Sequence, residues 1–139
     1  MYEDQEIMGN CEHKDSDLCL WSRDFKRSLP DLMRATLSQL GDIGHGIEID
    51  SELRKLKKMQ NGAEYLGHWR RGTEIREGYG MQLGTDGKFY EGHWFNNMAN
   101  GAGRLVYPDG SFYSGEFVDG NFHGQGKYIW KQDNSTYEG

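Results

Sequence analysis

Three strings of one design recur in the second half of the chain: Tyr65-Leu-Gly67-His-Trp69, Tyr90-Glu-Gly92-His-Trp94 and Tyr113-Ser-Gly115-Glu-Phe117. A fourth begins at Tyr137-Glu138-Gly139, and the leading tyrosines are 25, 23 and 24 residues apart. A second landmark follows each full string: Gly78 and Gly80, Gly101 and Gly103, Gly124 and Gly126. A turn pair closes each unit: Asp86-Gly87, Asp109-Gly110 and Asp133-Asn134, with Asn61-Gly62 ahead of the first tyrosine. Landmarks repeating in constant order at this period define an array of small supersecondary units, each too small to bury a core alone.

Each unit reads as two strands and two turns. Side chains alternate along a strand, so Tyr90, Gly92 and Trp94 share one face. Asn96-Asn97 and Asp119-Gly120 suit the positive φ of tight hairpins, and Tyr107-Pro108-Asp109-Gly110 is a turn signal. A strand glycine costs backbone entropy and packs nothing, so its recurrence needs a reason. The missing side chain leaves a slot over which an aromatic ring of the adjacent strand or repeat can lie, with Gly101 and Gly103 supplying similar slots. Hydrophobic residues make up only 35% of the chain, so this sparse aromatic layer is expected to stand in for a thick core.

The order Tyr-x-Gly-x-Trp/Phe, Gly-x-Gly, Asp-Gly resembles the MORN (membrane occupation and recognition nexus) repeat. The resemblance spans residues 62–139, with repeats at 65–89, 90–112 and 113–136 and a partial fourth. It implies a mainly β fold: an elongated, single-layer antiparallel β-hairpin array, here behind an N-terminal helical or irregular segment. The structural residues it implies are Tyr65, Gly67, Trp69, Gly78, Gly80, Tyr90, Gly92, Trp94, Gly101, Gly103, Tyr113, Gly115, Phe117, Gly124 and Gly126.

Residues 1–27 read as an acidic tail, disordered or ordered only by a partner. Residues 28–61 read as a helix and linker that cap the array. Within them, Ser28 is the expected cap of a helix whose Leu32, Met33, Leu37 and Leu40 line one face and which ends at Gly41. That helix is expected to cover the open end of the sheet, because exposed end strands invite aggregation. Residues 50–62 fit either a short basic amphipathic helix or, preferably, a stretch in which 54–60 is the second strand of a degenerate leading unit, with Asn61-Gly62 as its turn pair. Cys11 and Cys19 match no usual zinc spacing and read as reduced thiols, although His13 lies near Cys11. Met8-Gly9-Asn10-Cys11 resembles a lipidated start, but His13 stands where that pattern wants Ser or Thr. No apolar run reaches membrane-spanning length and no signal peptide opens the sequence, so a cytoplasmic protein is expected.

The net charge is −6, and neither residues 1–61 (9 Lys+Arg against 12 Asp+Glu) nor 62–139 (7 against 10) is basic. Nucleic acid is therefore not the expected partner. His68 and His93 occupy equivalent places in successive units, and the repeated aspartates mark turns. No acid/base pair stands apart from the repeat pattern. Gly78-Tyr79-Gly80 is followed by no helix that would hold a phosphate. No catalytic residue, metal or cofactor is expected.

Three functions fit. The first is a scaffold subunit that binds other proteins, with Phe95, Phe122, Trp130, Leu32, Met33 and Leu37 as partner contacts and a second copy as a further partner through edge strands. The resemblance places such proteins in cytoskeletal assemblies, above all the axonemes of cilia. The second is a peripheral adaptor for acidic phospholipid, with Arg54, Lys55, Lys57 and Lys58 as the candidate contacts. The third, a targeting module of an enzyme, ranks last for want of a catalytic domain.

Overall fold

A computed structural model describes residues 16–41 and 50–139. Cys11, His13, His45 and the Met8-Gly9 motif lie outside the described residues. Two helices, α1 (Ser16–Arg27) and α2 (Asp31–Leu40), precede eight strands. These are β1 (Ser51–Lys58), β2 (Glu64–Arg70), β3 (Arg76–Leu83), β4 (Phe89–Phe95), β5 (Met98–Val106), β6 (Phe112–Val118), β7 (Asn121–Trp130) and β8 (Ser135–Glu138). They form one open sheet in which every strand pairs with its sequence neighbours, all antiparallel.

The register explains the glycines. Gly67 lies opposite Gly80, Gly92 opposite Gly103 and Gly115 opposite Gly126. Tyr90 lays its ring across Gly103, where an added Cβ would stand 2.7 Å from the ring's Cζ. Tyr65 and Tyr113 do the same over Gly80 and Gly126. Gly92 itself faces backbone, its Cβ position being 2.5 Å from the Gly103 Cα. The ring therefore covers the second glycine of each Gly-x-Gly, while the glycine inside the tyrosine string lets two backbones approach. The first glycine of the doublet serves the backbone in another way, since Gly101 takes φ +92°, a value that L side chains resist.

Each ring is also held at its tip. The pairing shifts register just after Gly67, Gly92 and Gly115. The bulged strand turns a carbonyl towards its own tyrosine. The Tyr65, Tyr90 and Tyr113 hydroxyls donate to the carbonyls of His68 (2.7 Å), His93 (2.8 Å) and Glu116 (3.2 Å). Rings then meet edge to face from unit to unit: Tyr65 with Trp94 at 5.2 Å and Tyr90 with Phe117 at 4.9 Å between centroids. Trp94 Nε1 donates to the Gly80 carbonyl at 3.1 Å. The turns follow one rule, since Asn61, Asp86, Asp109 and Asp133 each accept at Oδ1 from the backbone N–H two residues on. Asn96, Asn97 and Asp119 take the positive φ expected of them.

The other face of the sheet carries a second core, and here several expectations are corrected. Leu66, Tyr79, Met81, Phe89 and Val106 are buried beneath Leu18, Phe25, Leu29, Met33 and Leu37. Residues 16–27, assigned to the acidic tail, form α1, and its Leu18 and Phe25 supply part of that core. The helices lie on the sheet face instead of covering its open end. Ser28 does not cap α2: its Oγ donates back to the Phe25 carbonyl at 2.6 Å, and α2 begins after Pro30 without a side-chain cap. Residues 51–58 are a sheet strand and not linker, in agreement with the leading-unit reading.

Gly103→Ala is expected to destabilise the chain by about 1–3 kcal/mol, because the new methyl displaces the Tyr90 ring. Urea unfolding of this variant beside Ala102→Gly, which leaves the ring in place, checks it.

Candidate functional site

Two places concentrate chemistry: a buried charge cluster under the helices and an exposed aromatic end. The cluster centres on Glu91, the residue between tyrosine and glycine in the second string, which is fully buried on the helix side. Lys26 of α1 donates to its Oε2 at 2.9 Å, and the Tyr79 hydroxyl donates to the same oxygen at 2.5 Å. Arg104 donates from Nε and Nη2 to Oε1 at 3.4 and 3.3 Å, and also reaches the Gly41 carbonyl beyond α2. Burial alone would raise the Glu91 pKa. The opposite charges of Lys26 and Arg104 and the Tyr79 hydrogen bond outweigh it and hold the carboxyl down at about 2. A carboxylate with this many donors and no path to water is a fastener between helices and sheet. Thr36 adds a second link, donating to the Gly110 carbonyl at 2.7 Å.

The aromatic end lies over β6–β8. Inner rings are closed off, Tyr65 and Trp69 being 0% exposed, whereas Phe122 is 46%, Trp130 42% and Tyr137 64% exposed. Phe122 stacks on Tyr113 with centroids 3.9 Å apart, and Tyr128 leans on Trp130 at 4.4 Å. Between these rings and Tyr137 opens a cleft of about 290 Å³. Phe95 is also exposed, but it lies on β4 and is not among the residues that line the cleft.

Of the candidate partner residues, Phe122 and Trp130 meet at this cleft. Leu32 is exposed on α2, but Met33 and Leu37 are buried against the sheet, so these two are not available to a partner. Helical spacing marks an apolar stripe and leaves open which side of it is already covered.

The basic strand β1 is largely engaged within the molecule. Arg54 donates to Glu52, to Glu74 and to the Thr73 carbonyl, and its guanidinium lies 5.2 Å from the Trp69 ring centroid. Lys57 pairs with Glu74 and lies over the same ring. Backbone and side-chain hydrogen bonds from Gly72 and Arg54 lower the Glu52 pKa, and the Lys57 hydrogen bond lowers that of Glu74, so both stay ionised. Lys55 and Lys58 are exposed. The quartet is thus divided, two cations serving the aromatic layer and two facing solvent.

Sequence reasoning passes over Glu91, Lys26 and Arg104. The signal is present, because Glu91 is a carboxylate at a string position that holds Leu66 and Ser114 in the neighbouring units, but its partners lie far off in sequence. The histidines fall where the repeat puts them. The His68 Nδ1 lies 3.2 Å from the Ser51 hydroxyl, and His93 stands edge-on to Tyr79. Among the described residues no group of His, Cys, Asp and Glu is placed to hold a metal, and no helix is long and apolar enough to cross a membrane.

Glu91 also sets an acid limit. Its folded pKa lies below the ordinary 4.5, so its stabilisation is present above about pH 4.5 and is lost as the pH falls towards 2. The span corresponds to about 3 kcal/mol. Glu91→Gln is expected to be less stable at pH 7, with Lys26 and Arg104 left short of a counter-charge. It is also expected to lose less than the parent between pH 5 and pH 2.5. Urea midpoints across that range provide the comparison.

The family model for the MORN repeat matches residues 90–112 and 113–135. A comparison with curated proteins finds no match.

Proposed function

Because this chain is a MORN-repeat protein, we propose that it is a non-catalytic scaffold subunit that binds another protein through the aromatic end of its sheet. The observation that carries this reading is the contrast in ring burial along one repeated layer. Tyr65, Trp69, Tyr90, Trp94, Tyr113 and Phe117 are shut in between units, whereas Phe122, Trp130 and Tyr137 beyond them are exposed around an open cleft. Exposed rings at a sheet edge are what a protein interface buries. The apolar part of the other sheet face, on β2–β5, is covered by the chain's own helices and is not offered. Repeats of this kind generally mediate protein or membrane-lipid contacts, and the sites found here favour protein. A cytoskeletal assembly, with the axoneme of a cilium first, is the proposed place, on the strength of the family resemblance.

The competing reading, an adaptor for acidic phospholipid, rests on Arg54, Lys55, Lys57 and Lys58. Each cation near an anionic surface contributes about 1 kcal/mol. Arg54 and Lys57 are already paired with carboxylates, and the remaining two give too little for stable attachment.

The tagged full chain is expected to stay with the detergent-insoluble fraction of cells and to bring defined protein neighbours with it. It is also expected not to sediment with phosphatidylinositol-phosphate vesicles at physiological salt. Release by detergent together with vesicle binding that Lys55→Ser and Lys58→Ser abolish would replace the scaffold reading with the membrane one.

A further inference from the structure

The first hairpin turn of the array does not match the others. Between β4 and β5 the turn is Asn96-Asn97, and between β6 and β7 it is Asp119-Gly120, but between β2 and β3 residues 71–75 intervene. None of these added residues belongs to either core. Arg71, Gly72 and Glu74 are exposed, and a Cβ at Gly72 would meet nothing within 4 Å. What the long turn carries is a hydroxyl, at Thr73, which the two shorter turns lack. Arg70 and Arg71 stand just ahead of it, the only adjacent pair of arginines in the sequence.

Two arginines ahead of a hydroxyl, with one small residue between, are a charge pattern that the acidic substrate cleft of a protein kinase selects. The fold leaves this pattern at the surface. The Arg71 side chain is 62% exposed and meets the exposed Asp50 at 3.4 Å. Arg70 is paired with Glu77 at 2.7 Å, both partly exposed. Such surface pairs hold weakly and can be exchanged for another acidic partner. The Thr73 hydroxyl donates to the Arg70 carbonyl at 2.8 Å and accepts from the Ile75 N–H at 3.1 Å. A kinase therefore has to open the turn's own bonds and no part of the cores. Ser28 also follows two cations, but there Lys26 is held by the buried Glu91.

The same turn already holds a receiver for phosphate. Arg54 of β1 donates from Nη2 to the Thr73 carbonyl at 2.7 Å, while its Nη1 lies 3.3 Å from Glu74. Lys57 pairs with Glu74 as well, and Glu52 takes the Arg54 Nε. Arg54, Lys57, Arg70 and Arg71 thus stand in or beside one turn, each shared with a carboxylate. A phosphate carries more charge than a carboxylate and three acceptor oxygens, and a guanidinium can hold it through two parallel bonds.

We propose that Thr73 is a phosphorylation site for a kinase that selects arginines ahead of its acceptor, and that Arg54 leaves Glu74 to pair the phosphate. In the transfer, the Thr73 oxygen bonds to the γ-phosphorus of Mg-ATP as the bond from that phosphorus to the bridging oxygen breaks. ADP leaves, and the hydroxyl proton passes to the kinase's catalytic aspartate. The product ties the turn to β1 through the phosphate, so the modification sets how firmly the leading strand is held. This site stands apart from the scaffold reading, and neither depends on the other.

The test incubates the folded full chain with Mg-ATP and the catalytic subunit of cyclic-AMP-dependent protein kinase and maps the product by fragmentation mass spectrometry. Phosphate is expected on Thr73 ahead of Ser28, kept at this position by Thr73→Ser and lost from it with Thr73→Ala. Arg71→Gln, a surface change that leaves the acceptor in place, is expected to slow transfer at least about tenfold. Phosphorus NMR reads the Arg54 pairing separately. The second pKa of the phosphate is expected below its ordinary value of about 6, and to return towards it in Arg54→Gln. Failure of the folded chain to take phosphate at Thr73 overturns the site, and transfer that Arg71→Gln leaves unchanged overturns the recognition by arginine. A phosphate pKa that Arg54→Gln does not move overturns the role given to Arg54.

Discussion

The tyrosine ring laid across a glycine of the neighbouring strand is the contact on which the sheet depends. It needs a strand without a side chain at one point, a hydroxyl acceptor within its own strand, and a second aromatic two strands away. Tyr90 meets all three through Gly103, the His93 carbonyl and Phe117. Burial pushes its phenol pKa upward, so the hydroxyl remains a neutral donor to that carbonyl. Tyr65 and Tyr90 each meet the aromatic of their own string edge to face, but the partner two strands away comes from the next unit. Stability is therefore a property of neighbouring pairs of units, as in other repeat architectures.

The second face follows different physics. There the sheet gains a core by recruiting two helices, and the alignment is fixed by a buried charge as well as by apolar contact. Lys26 and Arg104 reach Glu91 from opposite sides, one from a helix and one from β5. Such a group fixes orientation as well as adding stability, because removing either partner leaves a buried charge uncompensated. A sliding helix would leave a charge stranded, which a purely apolar interface would permit.

The repeat half is legible in the sequence because its rules are local. Asp before Gly marks a turn, alternation marks a face, and Gly-x-Gly marks close approach, each within a few residues. The N-terminal part is opaque for the opposite reason. Lys26 gains its meaning from Glu91, 65 positions away, and nothing near residue 26 announces it. Leu18, Trp21, Phe25 and Leu29 do keep helical spacing, but the stripe adjoins an acidic stretch whose composition reads as a tail. The stripe through Met33 and Leu37 is visible, but its occupant is not, so a buried face passes for a docking face. Arg54 and Lys57 pass for a lipid patch because Glu74 and the Trp69 ring meet them only when β1 pairs with β2.

The helix pair also limits how this architecture can lengthen. The 12 residues of α1 extend roughly 18 Å, and the three inter-strand steps from β2 to β5 extend roughly 14 Å. The fully buried apolar residues of the covered face keep to those strands, with Leu53 on β1 and Phe112 on β6 packed at the margins, and farther along the same side come Ser114, Gln125, Lys127 and Thr136. Repeat duplication in evolution would thus be tolerated where the second side is already polar, near β6–β8. A duplication beneath the helices would demand longer helices at the same step, so the helix length acts as a ruler for how many units can be two-sided.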